Sequence, residues 1–168
     1  VVNYAIVIST NAGLWRYIIG DTIKFTSKIP FRFLITGRTR SFINAFGEEV
    51  IVENAEKAIA EACLKTNSQI RDYTACPVFM ENKTRGRHEW LIEFMTPPND
   101  FDRFGILLDE ALRSLNSDYD AKRTKNMVLE PIMITVLENG TFDRWLKSKG
   151  KLGGQNKVPR LSNNRLYV

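Results

Sequence analysis

Four stretches of this chain carry residue types at spacings that could do chemistry. The first is Gly150-Lys151-Leu152-Gly153-Gly154-Gln155-Asn156-Lys157-Val158-Pro159-Arg160, three glycines and two lysines stiffened by a proline. A flexible loop of this kind can deliver Lys157 as a point charge to a phosphate during a reaction. It is not a Walker loop, because it has neither Gly-Lys-Ser/Thr nor a strand-to-helix setting. The second is Trp15-Arg16-Tyr17 followed by Gly20-Asp21. A carboxylate exposed on a tight turn can accept from two neighbouring hydroxyls, such as a ribose diol; alone, Gly-Asp reads as an ordinary turn. The third is Gly37-Arg38-Thr39-Arg40, where a glycine permits unusual backbone angles and Arg38 offers a planar fork for phosphate or hydroxyl groups. The fourth, Asn44-Ala45-Phe46-Gly47-Glu48-Glu49, opens a helix whose free N–H groups could hold an anion, but its two glutamates already complement that end.

Other polar residues invite structural readings. His88 and Glu89 are adjacent on a strand and so face opposite ways. Glu89 and Glu93 share a face and are placed to meet a basic residue. Asp118-Tyr119-Asp120-Ala121-Lys122-Arg123 reads as a solvated run or as a substrate rim. Cys63 and Cys76 are too few for a structural zinc site, His88 does not complete one, and both read as reduced core thiols of a cytoplasmic protein. No metal-ligating set is expected.

These residues need a scaffold, and the composition supplies one. The 168-residue chain is 43% apolar and 26% charged, with 18 aromatics among Phe, Trp and Tyr, which excludes a disordered or low-complexity class. No apolar run reaches the length of a membrane helix, and the opening VVNYAIVIST has no basic region of a signal peptide. Beginning at Val1, the chain is expected to be a fragment. The net charge of +5 is uneven: residues 144–168 hold seven basic side chains and no carboxylate, so residues 1–143 sum to −2. That basic tail fits an anionic partner such as a phosphate, or simple solubility, and basic C-terminal segments are common. With only Trp145 and Tyr167 beside the basic residues, it makes a poor nucleic-acid surface.

Residues 1–37 read as strands and turns: 4–9, 14–21 and 22–27 with Gly20-Asp21 as the turn between the last two, then 31–36 ended by Gly37. From residue 38 the order becomes helix (48–65), strand (70–80), strand (88–95), helix to about 115 capped by Asn99, an irregular stretch (116–126), strand (131–137), helix (142–150) and an extended tail. His88, Trp90, Ile92 and Phe94 face one way and Glu89, Leu91, Glu93 and Met95 the other. The expected fold is α/β (α+β): a small mixed-sheet sandwich with flanking helices over 38–168, preceded by antiparallel strands (1–37) from the end of a larger N-terminal domain.

Together AGLWRYIIGDTIKFTS, ITGRTRSFINAFGEEV, HEWLIEF, NSDYDAKR and KGKLGGQNKVPRLSN resemble the bacterial branch of the auxin-responsive acyl-acid amido synthetases, members of the adenylate-forming superfamily with firefly luciferase. The resemblance covers nearly the whole chain but only the C-terminal third or so of a family member. It implies a carboxylic acid activated by ATP and Mg²⁺ to an acyl-adenylate, then captured by an amino acid or amine with release of AMP. The C-terminal domain would rotate on a hinge against its own N-terminal domain between the two steps. It further implies that Asp21 holds the nucleotide ribose, that Arg38 sits in the hinge and reaches the nucleotide, that Arg16 and Arg160 belong to the nucleotide-binding set, and that Lys157 contacts the α-phosphate or leaving group and is catalytic. Thr39 and Asn156 depart from the plant enzymes, which carry a basic residue and a tyrosine there. Two other functions stay open at this stage. One is a non-enzymatic α/β module docking an acidic partner through the tail; the other is thioester formation as in coenzyme A ligases.

Overall fold

The computed structural model describes residues 2–39, 41–80, 85–124, 128–151, 153 and 157–166. Three antiparallel strands come first: β1 (Tyr4–Ile8), β2 (Tyr17–Lys28) and β3 (Phe31–Arg38), in the order β1-β2-β3. A short antiparallel hairpin follows, β4 (Phe42–Ile43) with β5 (Val50–Ile51). Then come α1 (Val52–Thr66), β6 (Gln69–Val78), β7 (Arg87–Thr96), α2 (Phe101–Leu115), α3 (Ser117–Arg123), β8 (Met133–Leu137) and α4 (Thr141–Ser148). The second sheet is mixed: β7 pairs antiparallel with β6 and parallel with β8. This is the expected small mixed-sheet sandwich with flanking helices.

β7 organises that sandwich because its side chains alternate. Trp90, Ile92 and Phe94 join Ala55, Ile59, Phe104, Leu108 and Leu112 of α1 and α2 in the larger core. On the opposite face Leu91 packs with Cys76, Phe142 and Leu146 under α4. A strand buried on both faces is what two helical layers demand. Ile43 and Val50 of the β4–β5 hairpin are fully buried in the larger core, so this segment packs with residues 52–166.

Several boundaries differ from expectation. Gly20-Asp21 is no turn; both lie inside β2. There β2 advances from Ile18 to Thr22 while β1 moves only from Val7 to Ala5, which makes a bulge, and Gly20 takes φ +92°. A bulge satisfies the same glycine-plus-polar signal as a turn. Gly37 does not end its strand: β3 continues to Arg38, with Gly37 opposite Thr22 and Arg38 opposite Asp21. α1 starts at Val52, because Glu48 is fully buried and Val50-Ile51 pair as a strand. Asp100, one residue after Asn99, caps α2 by accepting from the Arg103 N–H at 2.9 Å. The stretch 116–126 contains α3, whose Tyr119 and Arg123 turn inward at helical spacing. Along the tail, Leu161 bridges Ala75 in parallel, so the chain end runs along the free edge of β6.

Candidate functional site

The residues expected to act fall into two groups on different sheets. The first group sits on the β2–β3 ladder. The bulge brings Asp21 opposite Arg38, and Thr39 N–H donates to the Gly20 carbonyl at 2.8 Å, continuing the ladder past Arg38. Asp21 is partly buried and is not free of partners. Arg16 is exposed, adopts φ +50° and donates its backbone N–H to Ser9 Oγ at 3.0 Å. A non-glycine residue held in the left-handed region marks a tightly specified turn just ahead of β2. Beside these residues a cavity of about 370 Å³ is lined by Thr22, Thr36, Thr39, Ser41, Asn44 and Glu49 among others. Its wall is rich in hydroxyl groups, and Thr22 and Thr36 share a hydrogen bond at 3.1 Å. The Arg38 side chain, Arg40, Gly154, Gln155 and Asn156 lie outside the described residues.

The second group lies where the tail meets the mixed sheet. Just past the end of α4 at Ser148, Gly150 takes φ +65° and Lys151 N–H donates to the Leu146 carbonyl at 2.9 Å. Across the loop, Lys157 is exposed, and its ammonium makes no ion pair among the described residues. Immediately behind it the chain is fixed. Val158 is buried against Phe142, Leu146 and Leu91. Thr74 Oγ1 donates to the Pro159 carbonyl at 2.7 Å. Ala75 N–H donates to the Arg160 carbonyl at 3.0 Å, and Ser162 N–H to the Ala75 carbonyl at 2.9 Å. The Arg160 guanidinium pairs with Asp72, approaches Glu56 at 3.1 Å, donates to the Tyr73 carbonyl at 3.3 Å and covers the Tyr73 ring at 4.7 Å.

The other polar residues are structural, each for a definable reason. Glu93 reaches from β7 to the start of α4, accepting from Gly140 N–H at 3.0 Å and Phe142 N–H at 2.6 Å, so a buried carboxylate satisfies a helix N-terminus. Glu89 accepts from Thr135 Oγ1 at 2.7 Å and pairs with Arg165 at 2.6 Å. His88 Nε2 and Glu48 Oε1 meet at 2.8 Å, both fully buried. Burial pushes the Glu48 carboxyl up, but the hydrogen bond and charge of His88, with Phe46 N–H, hold it below its ordinary value. Within the run 118–123 two residues turn inward: Tyr119 Oη donates to Asp109 at 2.6 Å and Arg123 pairs with Asp109 at 2.8 Å, all three buried. Burial, then Asp109, pushes the Tyr119 phenol well up. Cys63 and Cys76 are unpaired; burial pushes the Cys76 thiol up to about 11, so it stays protonated at neutral pH and is a poor nucleophile.

The basic tail is therefore less available than its charge implies. Arg160 and Arg165 are paired with carboxylates of the sandwich, and Arg144 lies 3.7 Å from Glu138. Sequence reasoning missed these pairings because the partners are remote along the chain. The local signal is the pair Glu89 and Glu93 on one face of β7.

The open three-stranded sheet leading into a mixed α/β sandwich is a fold shared with solved acyl acid amido synthetases. The structure superposes on a GH3.15 acyl acid amido synthetase with a TM-score of 0.75, at 22% identity, over 96% of this chain and 31% of that one. It superposes on the same type of enzyme in complex with 2,4-DB with a TM-score of 0.72, at 20% identity, over 98% of this chain and 31% of that one. Residues 53–166 match the GH3 family C-terminal domain and residues 2–38 the GH3 family central domain. The chain belongs to the GH3 family. It is 32% identical to indole-3-acetic acid-amido synthetase GH3.3 of Arabidopsis thaliana, over 94% of this chain and 28% of that protein. Against GH3.6 of the same plant it is 27% identical over 94% of this chain and 27% of that protein. The chain thus spans under a third of the length of the curated relatives it matches.

Proposed function

We propose that this chain is the C-terminal part of an ATP-dependent acyl-acid amido synthetase. In the first step a carboxylate oxygen of the acid attacks the α-phosphorus of ATP and pyrophosphate leaves. In the second an amine attacks the acyl carbonyl, loses a proton and releases AMP. The observation that carries the reading is Lys157: an exposed cation with no ion pair among the described residues, next to the buried Val158 in a domain matching the GH3 family. Its role is to meet charge developing on the phosphates, where a placed cation is most effective. Asp21 is proposed as the ribose ligand, a partly buried carboxylate inside β2 next to the bulge at Gly20. No cluster of three metal-ligating side chains occurs among the described residues. Mg²⁺ accompanying ATP would take its ligands from phosphate oxygens, water and residues beyond these.

The partner for the open sheet is the rest of the synthetase. Phe31, Phe33 and Ile35 are 76%, 52% and 68% exposed at alternate positions of β3, which puts three apolar side chains together on one open face. The departures at Thr39 and Asn156 favour the bacterial branch over the plant one. The unpaired cysteines suit a cytoplasmic setting. The acid and the amine are to be found by testing the full-length protein against a panel of carboxylic acids and amino acids. Formation of an amide with one AMP per product supports the reading. Pyrophosphate release that ends in a thioester with coenzyme A, or no nucleotide turnover with any acid, overturns it.

A further inference from the structure

We infer that Arg160 is a positioning residue for Lys157 and not a ligand of the nucleotide. This rests on the proposed function and deepens it. Three observations carry it. First, the Arg160 guanidinium is already surrounded: Asp72 of β6 on one side, Glu56 of α1 at 3.1 Å on another, the Tyr73 carbonyl at 3.3 Å and the Tyr73 ring beneath it at 4.7 Å. Moving it to a phosphate would leave two neighbouring carboxylates facing each other, and a phosphate brought to it would meet both of them. Second, these partners lie on two different elements, so Arg160 ties the tail to α1 and β6 at once. Third, its backbone lies in the ladder with Ala75, and Val158, two residues earlier, is buried under α4. Lys157 adjoins that fixed stretch, so its place is set from behind.

The other end of the loop has a matching device. Glu93 holds the start of α4 through Gly140 and Phe142, and α4 in turn packs on Val158. The loop carrying Lys157 is therefore suspended between α4 and the Arg160 anchor. A cation that must meet a short-lived charge benefits from such placement, since displacement of about 1 Å can cost ~100-fold in rate.

The test uses Arg160→Ala, Asp72→Asn and Lys157→Ala, singly and combined, in the full-length synthetase. ATP–pyrophosphate exchange gives kcat and the KM for ATP; amide hydrogen exchange is read at Ala75 and Ser162. Asp72→Asn keeps the shape of its site and removes one of the two carboxylate charges that hold Arg160, leaving Glu56 in place. The expected result is that Arg160→Ala and Asp72→Asn each lower kcat about 10- to 100-fold with the KM for ATP within about twofold, and that neither lowers it further in the Lys157→Ala background. Protection of the two amides falls in both variants and stays unchanged in Lys157→Ala. A raised KM for ATP in Arg160→Ala with a silent Asp72→Asn overturns the inference and makes Arg160 a ligand. Additivity with Lys157→Ala also overturns it. If the unmodified protein exchanges no pyrophosphate, it is the functional reading that fails. The anchor then stands or falls on the amide protection alone, and unchanged protection overturns it.

Discussion

The β1–β3 sheet and the sandwich that follows use apolar residues in opposite ways. In the sheet, Phe25 makes edge-to-face contacts with Tyr4, Phe31 and Phe33, yet all four rings remain substantially exposed. In the sandwich, Trp90, Ile92, Phe104 and Leu108 are completely buried between layers of the same chain. Three strands with one layer missing cannot close a core, whereas a mixed sheet with helices on both faces can. The difference separates a closed core from a sheet that leaves its apolar residues exposed. It also divides the candidate site: Asp21 belongs to the open sheet and Lys157 to the closed sandwich.

The strongest way to break this comparison is to cut equivalent rings from both regions. Phe104→Ala should lower the unfolding free energy by about 3–5 kcal/mol, because it leaves a cavity in a closed core. Phe31→Ala should change it by less than about 0.5 kcal/mol in this chain. Denaturant titration of both variants reads the contrast, and equal losses would show that the sheet is as closed as the sandwich.

An intermediate effect sharpens the comparison through pH. The Glu48 carboxyl lies below its ordinary value of 4.5 when folded, so it contributes stability above that pH, which is lost as the pH falls through the folded value. Stability of the sandwich should fall on acidification below about pH 4.5. Glu48→Gln should be less stable at neutral pH and should show a shallower acid slope in thermal melts from pH 3 to 7. A slope identical to the unmodified chain would remove Glu48 from the account. The smallest effect is expected on the solvent side of α1, where Lys57 pairs with Glu53 at 2.7 Å and both are largely exposed. Lys57→Ala should cost less than about 0.5 kcal/mol in the same denaturant titration.

What was legible in the sequence follows the same division. β7 was readable because its alternation is strict, and α2 because Phe104, Leu108, Ala111 and Leu112 recur at helical spacing. α3 was hidden because only Tyr119 and Arg123 of its polar run turn inward, and their partner Asp109 lies on the preceding helix. Glu48 was misplaced onto a helix because an acidic residue ahead of an apolar pattern looks like dipole compensation, while its true partner His88 is remote. Gly20-Asp21 was taken for a turn because a bulge uses the same residues. Lys157 was visible as a residue type, in a glycine-rich loop. The engagement of Arg160 was not, since Asp72 and Glu56 reach it only through the fold.

The account turns on Lys157 acting on nucleotide phosphate. ATP–pyrophosphate exchange by the full-length synthetase with and without Lys157→Ala tests this most directly. A fall of at least about tenfold in exchange, with the melting temperature unchanged, is the predicted result. Exchange at the unmodified rate would contradict it.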